Sequence, residues 1–299
     1  MLSYLIFALT IGGIYALLAL SLNLVWGSAG MVNLGLAGFF GVGAYASAIA
    51  TGAGAPVLFG WGVAALAGVA VGLLVTFATL RLRDDYLAIV TLGFAEMVRL
   101  VALNERWLTK GADGISGIAA PMKTELGTSG FNLFYLAIVT AIVLAVWWML
   151  TRLDASPYGR TLKAIREDQE LARFAGKPVL RFKYEAFALS AAIAALAGAL
   201  YAHFQSYFSP DHVQPLITIY IFLGLTAGGV GRPAGAVAGG YAVLLFIEGT
   251  RFAADVMPGL QAVQIAAFRE ILIGAALLIV LHLKPQGFLP ETMPKAPKT

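Results

Sequence analysis

LSYLIFALTIGGIYALLALSLNLV, residues 2–25, is an uninterrupted apolar stretch that contains no Asp, Glu, Lys or Arg. A helix rises 1.5 Å per residue, so about 20 such residues cross a hydrocarbon core of about 30 Å. The stretch has no basic segment before it and no convincing cleavage site after it, so it is read as a retained first span rather than a removable signal. The pattern then continues outward: the first charged residue of the chain is Arg81. Eighty residues of this kind cannot make a water-soluble domain without exposing large apolar surfaces. The 299 residues are 60% hydrophobic and 12% charged, against about 25% charged in soluble domains, and mean hydropathy is +0.83. The expected fold is therefore an all-α polytopic membrane protein forming a single transmembrane domain over residues 1–299.

Further apolar stretches at 57–80, 86–103, 131–150, 184–207, 216–229, 234–247 and 269–283 read as spans. Residues 31–50 are apolar but dense in glycine (Gly35, Gly38, Gly41 and Gly43 among them). Such a segment suits either close helix packing or a broken, partly re-entrant helix lining a cavity. Counting it as a crossing gives about nine. Residues 104–130 and 250–264 read as loops, and 284–299 as a polar tail.

The only long polar insertion is 152–183, which carries Arg152, Asp154, Arg160, Lys163, Arg166, Glu167, Asp168, Glu170, Arg173, Lys177, Arg181 and Lys183. Ser156 followed by Pro157 is an N-cap with proline at the first helical position. Tyr158, Leu162 and Ile165 then share one face. Asp168 can cap a second short helix with Leu171 and Phe174, and Gly176 and Pro178 stop it. A Gly- or Ser-rich linker lacks this periodicity, so the segment reads as a docking device. The expected anchors are Tyr158, Leu162 and Ile165, with Arg160, Lys163 and Arg166 as their rim.

Charge placement orients the chain. Arg81, Arg83, the 152–183 insertion, Arg232 and the tail together hold 14 of the 20 Lys and Arg, and the opposite loops hold only Arg106, Lys110, Lys123 and Arg251. The richer side is expected to be cytoplasmic. The C-terminus is then inside and, with nine crossings, the N-terminus outside. Basic residues beside spans also explain the pI of 9.3 without nucleic acid.

Chemistry is sparse. The chain has no cysteine, no G-x-x-x-x-G-K-[ST] phosphate loop, no G-x-S-x-G and no H-E-x-x-H. His203, His212 and His282 lack metal-ligand spacing. Catalytic residues, a metal and a cofactor bound by this chain are therefore not expected. Glu96 and Arg99, i and i+3 near mid-span, either pair for structural reasons or line a polar path. Asn33, Thr91 and Thr226 are uncharged candidates for that path, each otherwise a helix–helix hydrogen bond.

Tyr86-Leu-Ala-Ile-Val-Thr-Leu-Gly-Phe-Ala-Glu-Met-Val-Arg99 and Gly114-Ile-Ser-Gly-Ile118 resemble the LivM branch of the branched-chain amino acid ABC transporter permeases. So do 34–45, Ser156-Pro-Tyr-Gly-Arg160 with Ala164-Ile-Arg-Glu-Asp168, Gly228-Gly-Val-Gly231 and Lys284-Pro-Gln-Gly287. The resemblance covers nearly the whole chain and departs at Lys177-Pro178, where the exit angle of the loop is left open. It implies a bacterial inner-membrane permease for branched-chain amino acids, with a urea or short-amide permease as the alternative. It also implies partners: a second, LivH-like permease, two cytoplasmic ATPases binding ATP-Mg, and a periplasmic or extracellular substrate-binding protein. The residues it assigns to ATPase coupling are Ser156, Pro157, Tyr158, Gly159, Arg160, Leu162, Ile165, Arg166 and Gly176. A self-sufficient secondary transporter is the remaining class, but its only good mid-membrane carboxylate, Glu96, already has a partner.

Overall fold

A computed structural model of the chain describes residues 2–79, 84–255, 262–284 and 286–291. Among the described residues twelve α-helices follow one another: α1 (Leu2–Leu22), α2 (Leu36–Gly52), α3 (Val57–Thr79), α4 (Asp84–Asn104), α5 (Arg106–Thr109), α6 (Lys123–Ala155), α7 (Pro157–Glu167), α8 (Gln169–Phe174), α9 (Val179–Gln205), α10 (Pro215–Gly228), α11 (Pro233–Asp255) and α12 (Ala262–Leu283). Five segments are long and apolar enough to cross a bilayer: 3–28, 57–79, 86–104, 125–155 and 179–205. α2 and α10 are shorter, at 17 and 14 residues, or about 25 and 21 Å.

Contacts fix the relative directions. Gly27 of the first span meets Gly231, and Gly12 meets Leu244, so α1 and α11 are antiparallel. Gly13 touches Val139 and Val143, while Ser28 bonds Asp154, so α1 and α6 run the same way. Phe39–Phe187 and Ser47–His203 pair α2 in parallel with α9. α3 is antiparallel to α9 through Gly72–Ala188 and Gly68–Ala195. Gly224–Gly239 and Gly228–Gly235 make α10 and α11 an antiparallel hairpin. The ends of α1, α6 and α10 thus gather on the side that carries α7 and α8. This alternation makes 31–50 a passage running away from that side.

Both readings of the glycine-rich segment are realised. After α1 come a π-helical turn, Asn23–Ser28, and an irregular stretch before α2. Bare backbone is tolerated at membrane depth only where protein surrounds it, and Met31, Asn33 and Gly35 are buried. The new helix start is satisfied from three directions. Leu34 N–H donates to Thr91 Oγ1 (3.0 Å), Gly35 N–H to Asn33 Oδ1 (2.9 Å) and Ala37 N–H to Thr218 Oγ1 (3.2 Å). Close packing appears two turns on, where a methyl at Gly43 would overlap the Ala195 carbonyl and one at Gly198 the Phe40 carbonyl. The backbones of α2 and α9 touch directly there.

Several boundaries differ from expectation. α11 continues through 255 instead of stopping near 247, carrying Glu248 and Arg251 within the helix, and Tyr4 donates a hydrogen bond to the Glu248 carboxylate. The 104–130 loop contains β1 (Ile115–Ser116), paired antiparallel with β2 (Tyr207–Phe208), so the fold is all-α apart from this two-residue ladder. α6 starts at Lys123 and kinks at Gly127. Arg81, Arg83, residues 256–261 and Lys295 lie outside the described residues, as do the side chains of Arg251 and Arg269.

Candidate functional site

The insertion after α6 folds as two short surface helices. Ser156 Oγ accepts from Gly159 N–H (3.3 Å) with Pro157 at the first helical position, and Asp168 Oδ1 accepts from Leu171 N–H (2.9 Å). Gly176, at φ +76°, closes α8. Gly159 lies so close to the end of α6 that a methyl there would overlap the Leu153 carbonyl, which sets the sharp α6–α7 turn. Pro178 is the N-cap position of α9, so the departing Lys177-Pro178 pair begins the next span directly.

The apolar face of α7 points the other way from the expectation. Leu162 is 0% exposed within the main core, and Ile165 joins Ala172 and Val179 in a small second core under Phe182. Tyr158 is half-buried, its ring 4.9 Å from that of Phe182. Burial, and after it the nearby Glu185 carboxylate, pushes its phenol well above the ordinary value, so it stays protonated. Leu162 and Ile165 are spent on holding α7 to the helix bundle, with Tyr158 half-buried beside them, so the buried stripe is not the outward surface of this helix. The reason is energetic: a short helix with one apolar stripe buries that stripe at the first surface available, and here the ends of α6 and α9 supply it.

What remains outward is a different set. α7 and α8 flank an open groove of about 490 Å³ lined by Pro157, Arg160, Ala164, Leu171, Ala175 and Lys177. Leu171 is 65% exposed and Phe174, beyond it on α8, 86% exposed. Two large apolar side chains with a cationic rim are thus left uncovered on an otherwise polar surface. The sequence marked Leu171 and Phe174 as helix positions, and their i, i+3 spacing among charges was the available signal.

α7 is also tied from below. Arg166 donates to the Gly27 carbonyl in the π-helical turn, and Glu291 bridges Lys163 Nζ (2.7 Å) and Arg166 Nη1 (3.0 Å). Residues 286–291 reach that place as a strap: Phe288 N–H donates to Ala227 O (2.8 Å) and Leu289 N–H to Gly228 O (2.9 Å). Gly231 N–H in turn donates to Asn23 Oδ1 (2.8 Å). The first part of the expected free tail is thus built into the fold, and no local sequence signal announces it. Lys183 is buried under α8, with Nζ donating to Gln169 Oε1 (2.6 Å). We expect Glu291→Ala to free α7 without unfolding the spans. Tryptic cleavage after Arg160, Lys163 or Arg166 in solubilised protein should then speed up several-fold.

The path candidates do not converge. Asn33 and Thr91 are buried and spend their oxygens on the start of α2. Thr226 donates to Phe222 O within α10, apart from them. Glu96 lies five residues beyond Thr91, about 140° round the helix, and pairs with Arg99 at an outer face. At the far end His203 Nδ1 lies 2.5 Å from the Ala119 carbonyl, and a carbonyl only accepts, so Nδ1 carries the proton. Nε2 then accepts from Ser47 Oγ–H (2.7 Å), which ties α2, α9 and the 114–120 loop together. Among the described residues no group of His, Asp and Glu could hold a metal ion.

Comparison with known proteins adds the following. The family described as branched-chain amino acid transport system / permease component matches residues 4–281. The high-affinity branched-chain amino acid transport system permease protein LivM of Escherichia coli K12 is 32% identical over 96% of this chain and 70% of its own length. The probable LivM of Methanocaldococcus jannaschii is 26% identical over 93% of this chain and 91% of its length. The permease protein LivH of Salmonella typhimurium is 22% identical over 94% and 92%.

Proposed function

The chain belongs to the family of branched-chain amino acid transport permease components, and from that membership we propose that it is one of two permease subunits of an ABC importer that carries branched-chain amino acids. Separate ATPases drive the pair, and a substrate-binding protein outside the membrane delivers the cargo. The LivM and LivH relatives support a two-permease membrane domain. The observation that carries the reading from this chain alone is the α7–α8 unit. It is a firmly held pair of surface helices with an exposed apolar groove, in a polypeptide without a phosphate loop of its own.

In this reading an ATPase seats on Leu171, Phe174 and Arg160, and its movement passes through α7. Arg166 and Glu291 then deliver that movement to the π-helical turn at 23–28 and to the α10–α11 turn. Both turns lie where helices are already interrupted, so small displacements there cost few backbone hydrogen bonds. ATP-Mg is bound by the partners, and this chain contributes structure rather than catalysis.

The decisive experiment is reconstitution of the chain with its permease, ATPase and binding-protein partners in liposomes. ATP-dependent uptake of leucine or valine is expected, with urea as the negative control. Uptake of urea but not leucine would refute the substrate assignment. Orientation follows from the gathering of α7, Arg232 and the 286–291 strap on one side, which the basic-residue excess makes cytoplasmic. Lys163→Cys is therefore expected to resist an impermeant maleimide in intact cells, and Lys110→Cys to react with it. Labelling at 163 would reverse the topology.

A further inference from the structure

One feature of α4 is used by neither the coupling surface nor the core. The Arg99 guanidinium grips the Glu96 carboxylate with both arms, Nε–Oε2 at 2.9 Å and Nη2–Oε1 at 2.5 Å. Among the described residues neither side chain has another hydrogen-bond or ion-pair partner. Both are turned outward, Glu96 38% and Arg99 25% exposed. Glu96 is ten residues from Tyr86 and seven from Leu103, about 15 and 10 Å along the span, and Arg99 is about 6 Å from Leu103, so the pair lies within the span, in the half nearer Leu103. Ile89, Met97 and Leu100 around it are exposed and apolar, and the Asp211 carboxylate in the turn before α10 lies within electrostatic reach of Arg99. Gly93, one turn earlier, has open space where its Cβ would stand.

A lipid-facing position accounts poorly for this. A charged side chain at mid-span costs about 2.5–3.5 kcal/mol on insertion scales, and pairing lowers that cost without making the site apolar. A leucine would do better on a lipid face. The pair therefore belongs where a second protein or an aqueous path covers it, and the space over Gly93 leaves room for a small molecule against the helix.

We propose that Glu96 and Arg99 are the recognition site for the zwitterionic head of the transported amino acid, on the α4 face that the second permease completes. The carboxylate takes the α-ammonium, the guanidinium takes the α-carboxylate in its fork, and Ile89, Met97 and Leu100 receive the aliphatic side chain. The internal ion pair opens as the two new pairs form. The Glu96–Arg99 pair and the incoming zwitterion are each neutral, so the exchange leaves neither partner without a counter-charge in low dielectric. Empty, the pair closes on itself and seals the polar route. This rests on the permease reading above and adds the chemical group at which substrate is held.

The test uses the complete reconstituted transporter and the double variant Glu96→Gln/Arg99→Gln. It removes both charges together, so no orphan is left in the membrane. The variant is expected to reach the membrane and copurify its partners at wild-type level, while leucine uptake falls at least about tenfold, the size of losing one charge-assisted contact of about 1.5–3 kcal/mol. Uptake within about twofold of wild type would overturn the proposal and leave the pair structural. Should the double variant fail to insert, Arg99→Lys retains charge but loses the fork. A raised KM for leucine at normal abundance is then expected, and an unchanged KM would overturn it. If wild-type transporter takes up no amino acid, the permease reading fails instead, and the two failures are told apart.

Discussion

Leu162→Asp is expected to strip the protein from the membrane fraction, by about tenfold or more, rather than merely uncouple it. Leu162 is fully enclosed between α7 and the permease body. Truncating such a leucine to alanine costs about 2–5 kcal/mol, and an unpaired buried carboxylate adds a further penalty. Together these costs take up much of the about 5–15 kcal/mol that holds a typical domain folded. Leu171→Asp and Phe174→Asp, on the open side, should leave abundance unchanged while abolishing copurification of the ATPase. Immunoblots of membranes and pull-downs through a tagged ATPase read both effects. Normal abundance of Leu162→Asp with lost ATPase binding would mean that α7 turns its apolar face outward in the assembled transporter.

Gly198→Ile should be equally severe for a different reason. At that crossing a single methyl already overlaps the Phe40 carbonyl, and the neighbouring Gly43 is in the same position against Ala195. Overpacking a side chain costs about 1–3 kcal/mol because neighbours rotate away, but a backbone cannot rotate away, so the helices must part. Parting them also pulls at the Ser47–His203 hydrogen bond. The expected result is loss of a monodisperse peak in detergent. Gly62→Ala is the control, because open space surrounds Gly62 on α3. It should be neutral or slightly stabilising, since alanine favours the helix by about 0.5–1 kcal/mol. A stable, monodisperse Gly198→Ile protein would show that α2 and α9 are not in backbone contact.

These two cases mark how far the amino-acid order could be read. Spans were legible because bilayer thickness imposes a length and a polarity that few residues violate. The caps at Ser156 and Asp168 were legible because a cap is decided within four residues. The direction of α7 was not, since periodicity shows that Tyr158, Leu162 and Ile165 share a face but is silent on what that face meets. The close approach at Gly43 and Gly198 joins residues far apart in the chain, and glycine density suggested it without naming the partner. β1 and β2 are two residues each, below any pattern. For Glu96 and Arg99 the spacing gave the pair, while its position beside the one buried stripe of α4 (Leu87, Thr91, Phe94, Ala95 and Ala102) came only from the fold.

The 286–291 strap has a consequence for how the molecule is made. Glu291 leaves the ribosome after every helix it braces, so spans α1 to α12 can all enter the membrane while α7 still lacks its tie. The surface offered to an ATPase is then set by one of the later events of synthesis. A chain truncated before Glu291 is expected to insert its spans while α7 stays unbraced.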